Sequence, residues 1–148
     1  MTDHRALAGG YSNAAWDLID SAERTPAQDR DLMTLTFASR QHWIDASGSE
    51  ENLIVADWQV AHAASLSGFS YVALLFAEAA VERAESAEVP AWLKASAHEG
   101  LARANAAAGN DAGYVREAAT ARTLLDAVDD DEDRKLVESQ LASIPTPR

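Results

Sequence analysis

The chain has no cysteine, which excludes disulfide staples, thiolate nucleophiles and cysteine-ligated metals and fits a reducing compartment such as the cytoplasm. Proline occurs 4 times and glycine 7 times in 148 residues, too rarely for a collagenous or low-complexity chain. Long apolar runs are missing too: the most apolar stretch, Tyr71 to Ala77, ends at Glu78, far short of the roughly 20 residues of a membrane span. The start, Met1-Thr-Asp-His-Arg, lacks the apolar core of about 7 to 15 residues that a secretory signal needs. Basic side chains are scarce, 12 against 24 acidic ones, giving a net charge of −12. That field opposes nucleic acid and anionic membranes as partners.

What is present favours one helical domain. Hydrophobic residues make up 47% of the chain, and about a fifth of all residues are alanine, the strongest helix former. The spacing predicts seven helices: Asp3 to Glu23, Pro26 to about Ala46, Glu50 to about Ser67, Phe69 to Ala87, Pro90 to Ala108, about Ala112 to Val128, and a short last helix ending near Ser143. Thr25-Pro26 is a helix start, with Thr25 as N-cap. Ser49 with Asn52 falls short of a full capping box, while Glu50 and Glu51 suit the positive end of a helix dipole. Apolar stripes put Leu7, Tyr11, Ala14, Ala15, Leu18 and Ile19 of the first helix, and Leu32, Leu35, Phe37, Ala38 and Ile44 of the second, on buried faces. Short turns make sequential helices antiparallel, giving an all-α stack of hairpins. The divisions are a degenerate first hairpin over 1–48, a second over 49–88, a third over 89–128, a capping helix over 129–143 and a fraying tail over 144–148.

A repeat supports this layout. Ala56, Ala61, Gly68, Ala77 and Ala80 match Ala97, Ala102, Gly109, Ala118 and Ala121 in a single register. Small residues let paired helices approach, and the glycines suit tight turns. A looser echo pairs Trp16 with Trp58. A small residue, a turn glycine and two alanines on the following helix together resemble the tetratricopeptide repeat, over about residues 50 to 128. The resemblance implies a right-handed tetratricopeptide-like array of three hairpins plus a terminal helix. Departures are the Asp57 and His98 that stand at the family's early aromatic position, the Glu85 that replaces its terminal proline, and a period longer than about 34 residues. The layout also resembles a group of small bacterial tetratricopeptide-like proteins with a His-Trp pair late in the second helix and an acidic-Trp-Gln element in the third. Here these are His42-Trp43 and Asp57-Trp58-Gln59.

Trp58 and His62 share a helix face, as do Glu99 and Arg103 at the equivalent positions of the next hairpin. The family resemblance puts this register on a concave groove. There Trp58 would be an aromatic platform, His62 and Arg103 donors and Glu99 an acceptor for a protein or peptide partner. The competing reading buries Trp58 in the core, pairs Glu99 with Arg103 within one helix and leaves His62 solvated. His42 and Trp43 read either as a structural aromatic with a capping histidine or, with Arg40, as an anion contact.

Catalytic and metal motifs fail on spacing. After His98-Glu99, the second histidine of a zinc-protease motif would have to be residue 102, which is Ala102. No Glu-x-x-His, P-loop, dinucleotide fingerprint or nucleophile elbow occurs. Asp129 to Asp133 reads as the acidic start of the last helix rather than a calcium loop. The expectation is a cytoplasmic, non-catalytic binding module with no cofactor and no metal. One rival is a small-molecule or metal-dependent enzyme in which His42, His62 and His98 converge on an interhelical pocket. The other is a self-association module that forms a homodimer through alanine-rich faces.

Overall fold

The computed structural model describes residues 1–146, so Pro147 of the expected tail lies outside the described residues. Seven helices follow one another: α1 (His4–Ile19), α2 (Pro26–Asp45), α3 (Glu50–Leu66), α4 (Ser70–Ser86), α5 (Ala91–Ala107), α6 (Asp111–Leu125) and α7 (Asp131–Ala142). Among the described residues there is no strand, and no helix is long and apolar enough to cross a membrane.

Local chemistry sets the helix ends. At α2 the Thr25 hydroxyl accepts from the Gln28 N–H, and the Gln28 side chain accepts from the Thr25 N–H, a reciprocal capping box followed by Pro26. Ser49 and Asn52 make the same box at α3, correcting the expectation that they fall short of one: a short amide reaches back as a glutamine does. Asp130 caps α7 ahead of the acidic first turn Asp131, Glu132 and Asp133. Gly68 and Gly109 stand at φ +80° and +74°, and the next amides, Phe69 and Asn110, bond back to the carbonyls of Ala64 and Asn105. This closure satisfies the last free carbonyls of α3 and α5 and needs a left-handed residue, hence glycine. At the end of α2 the same geometry falls to Ser47, at φ 51°.

Each helix packs on the next, and the odd-numbered helices also pack in series, α1 on α3, α3 on α5 and α5 on α7. Among the described residues the backbones of α2, α4 and α6 stay apart, and α2 meets α4 through side chains, with Phe37 edge-on to Phe76 at 5.4 Å and the Arg40 guanidinium 5.1 Å from the Phe76 ring centre. The chain is therefore an all-α array with the odd-numbered helices inside and the even-numbered helices outside. Alanines make the close approach possible: Ala61, Ala64, Ala73 and Ala77 meet Leu101 and Ala104, while Ala95, Ala102, Ala118 and Ala121 meet Val128, Val137, Leu141 and Ile144. Ile144 is thus a core residue, not the start of a fraying tail.

The expected apolar faces of α1 and α2 need correction. Leu7, Phe37 and Ile44 are exposed, whereas Ala8, Thr36 and Ser39 are buried. The α1–α2 contact is close enough at Ser39 for its hydroxyl to donate to the Ala8 carbonyl at 2.8 Å, a point where a small side chain fits, while Leu32 is buried with Ala15 of α1. α1 stops at Ile19 and α6 at Leu125, each short of the expected end.

Candidate functional site

The inner helices α3 and α5 are covered on nearly every side, and α5 is buried without a break from Ala95 to Asn105. A helix surrounded by protein is ordinarily apolar all round, yet these two carry Asp57, Gln59, His62, Ser96, His98, Glu99, Arg103 and Asn105 into the interior. Six of the eight, all but His62 and Ser96, are answered by a specific hydrogen-bond partner, as buried polar groups generally are.

The central cluster joins equivalent positions of successive units. Trp58 of α3 donates its indole N–H to Glu99 Oε2 of α5 at 2.9 Å, across a separation of 41 residues. Arg103, one turn after Glu99, grips the other oxygen with Nε at 3.0 Å and a terminal nitrogen at 2.9 Å. That terminal nitrogen also reaches the Gln140 carbonyl at 2.9 Å and the Ser143 hydroxyl at 2.6 Å, which ties the end of α7 to α5. On the other side Trp16 of α1 lies 5.8 Å from Trp58 and 5.9 Å from His62, ring centre to ring centre. Trp16, Trp58, Glu99 and Gln140 thus form a ladder along the inner side, each contributed by the next odd-numbered helix.

Gly100 makes room for this ladder. A Cβ there would stand 2.7 Å from Trp58 Cδ1, so the bare backbone of α5 lets the indole lie flat on it. Burial pushes the Glu99 carboxyl upward, while the Arg103 charge and the two side-chain hydrogen bonds pull it back down. His62 is pushed down to about 3, by burial first and then by the charges of Arg103 and Arg24. It is a neutral imidazole beside the two indoles, and its Nδ1 has no hydrogen-bond partner.

Trp58, His62, Glu99 and Arg103 therefore come together as their spacing implied. They are buried, at 6%, 7%, 0% and 3% exposure, because α1 covers one flank and α7 the other. Gln59 points elsewhere and donates to the Ser12 carbonyl at 3.1 Å, holding α1 on α3. Trp43 is half-buried beside Gly48, with the Arg5 guanidinium 5.9 Å from its ring centre. Arg40 engages the carboxylate of the buried Asp57 at 2.6 Å.

The histidines do not converge. His62 stands among the indoles, and His98 bridges Glu117 of α6 at 2.7 Å and Glu85 of α4 at 3.0 Å, clamping two helices whose backbones stay apart. His42 meets His4, at the first turn of α1, with 2.8 Å between their Nδ1 atoms. The interhelical pocket lined by all three, expected under the enzyme reading, is not formed, because each faces a different neighbouring helix.

A small cleft of about 150 Å³ opens on the inner side. Each odd-numbered helix lines it: Trp16 of α1, Val55 and Trp58 of α3, Trp92 and Ser96 of α5, Leu136 and Gln140 of α7. Its walls are almost wholly apolar, and Val55 and Leu136 at its rim are 41% and 50% exposed. Sequence reading missed Trp92, Val55 and Leu136, since nothing in their spacing marks them as neighbours. No protein-family model, curated protein or solved structure matches the chain.

Proposed function

We propose that the protein is a non-catalytic, tetratricopeptide-like binding module whose inner face takes an apolar side chain from a basic segment of a partner protein. The observation that carries this reading is the cleft bounded by Trp16, Trp58 and Trp92. A cavity of about 150 Å³ accommodates one benzene-sized group, which suits a single phenylalanine, leucine or isoleucine side chain. Indole walls are rigid and lose little entropy on binding, which is why tryptophan recurs at anchor points of interfaces.

The surrounding charge selects the partner's sign. Glu51 stands one turn before Val55, and Glu132 one turn before Leu136, and both are exposed. With −12 overall, the chain repels a second copy of itself and attracts lysine- or arginine-flanked segments. Trp58 is then one wall of the cleft, held rigid from behind by Glu99 and Arg103, which do not line it. A tetratricopeptide-like identity is supported by the alternation of inner and outer helices and by the ladder of equivalent inner positions.

The test uses a library of short peptides, each with one apolar residue between lysines or arginines, read by tryptophan fluorescence and calorimetry. Saturable binding is expected, weakened at least about tenfold (about 1.4 kcal/mol) by Leu136→Asp. That position is half exposed, so the variant keeps its fold, whereas Trp58 is bonded into the interior and is a poor probe. Binding of no such peptide, equal binding by wild type and Leu136→Asp, or a protein that only dimerises with concentration would each overturn the proposal.

A further inference from the structure

A second cluster lies away from this face, where the first turn of α1 meets the last turn of α2. We propose that His4, His42 and Asp45 form a binding site for one zinc ion. The His4 and His42 Nδ1 atoms are 2.8 Å apart, and Asp45 Oδ2 is 3.8 Å from His4 Nδ1. The three donor atoms lie within 4.8 Å of one another. Two imidazole nitrogens and one carboxylate oxygen are a borderline set suited to zinc. Tetrahedral zinc, with Zn–N of about 2.0 to 2.1 Å, places two ligand nitrogens about 3.3 Å apart. The rings need to part by only about half an ångström, and both side chains are only half-buried.

The surroundings orient the set. Gln41 donates to Asp45 Oδ1 at 2.9 Å, which leaves Oδ2 to face the histidines. Tyr11 stacks on the His42 ring at 5.6 Å between centres and limits its rotation. Such outer contacts commonly fix metal ligands. The carboxyl end of α2 also directs its negative dipole end at this point. The neighbouring cation, Arg5, is turned onto Trp43, and Asp3 is occupied in capping α1. The 2.8 Å contact between the two Nδ1 atoms requires that one of them donate a proton and the other accept it. To bind zinc through both Nδ1 atoms, the donor ring moves that proton to its own Nε2 by way of solvent, so both rings remain neutral. With three protein ligands, the fourth position faces solvent and takes water or a further donor.

The experiment uses the untagged full chain, stripped with a chelator and titrated with zinc chloride by calorimetry, with ¹⁵N spectra of the imidazoles. The expected result is one ion per chain, a thermal midpoint raised by about 5 °C or more at a hundredfold excess over Kd, and ¹⁵N shifts that place the proton of both rings on Nε2. Binding should weaken at least about tenfold in both His42→Gln and Asp45→Asn. Asp45 is exposed, so the second variant retains the fold. No saturable binding, binding unchanged in either variant, or binding that needs His4 but neither of the others would overturn the assignment. In the last case the ion belongs to the N-terminal segment alone.

Discussion

Replacing Arg103 by methionine removes the charge opposite Glu99 while keeping most of the aliphatic stem. Glu99 has no exposed surface and would keep only the Trp58 N–H as a side-chain partner. Breaking a buried ion pair from one side costs about 3 to 5 kcal/mol, because the remaining charge is left without compensation. For a chain of this size that corresponds to a fall in thermal midpoint of roughly 10 °C. Part of the loss is a different matter, since Arg103 also holds the Gln140 carbonyl and the Ser143 hydroxyl at the end of α7. The double variant Glu99→Gln, Arg103→Met separates the two. Its amide still accepts from Trp58 and carries no charge, so it should cost at least about 1.5 kcal/mol less than the sum of the single changes. Burial raises the Glu99 carboxyl, so in Arg103→Met the deficit should narrow as pH falls below neutral and Glu99 takes up a proton. Urea unfolding followed by far-ultraviolet circular dichroism measures each quantity. A single-variant loss below about 1 kcal/mol, or strict additivity in the double variant, would refute the claim that this pair is a buried, mutually dependent unit.

Two further outcomes follow from the same face. His62 is held near 3 when folded against 6.5 as an ordinary histidine. The unfolded chain therefore binds a proton that the native chain refuses, and stability falls as pH drops from 6.5 toward 3. About 1 kcal/mol should be lost between pH 6.5 and 5.5 in the wild type beyond that lost in His62→Gln, and parallel stability curves would contradict this. Gly100→Ala places a methyl 2.7 Å from Trp58 Cδ1. It should destabilise by about 1 to 3 kcal/mol and alter the near-ultraviolet dichroism, although alanine is the better helix former; a neutral or stabilising effect would mean that the indole can move aside.

Much of the fold was legible because its signals are local. Thr25-Pro26, Gly68 and Gly109 act within a turn of their own position, through a missing N–H, a capping oxygen or a left-handed backbone. The repeat was legible because equivalent side chains meet equivalent neighbours, as Trp58 and Glu99 do. The sides of α2 were less legible. Thr36 and Ser39 are buried, Ser39 where α1 comes within hydrogen-bond reach of its hydroxyl, and a distance between two helices leaves no mark on hydropathy.

The candidate site shows where local reading stops. Spacing along one helix places Trp58 with His62 and Glu99 with Arg103, because a helix turns through a constant angle per residue. Whether that face opens to a partner or closes into a core depends on what lies across it, and indole, imidazole and a charged pair suit either setting. The ends of the array decide the matter here: Trp16 closes one flank, and Gln140 and Ser143 close the other. The approach of His4 to His42 and Asp45, and the assembly of Trp16, Val55, Trp92 and Leu136 around one cleft, are likewise products of register between helices. Helix positions, turns, charge and repeat were thus determined by the sequence through interactions spanning a few residues. Burial and convergence were decided only by the tertiary structure, because they depend on residues far apart in the chain whose separation closes when the helices pack.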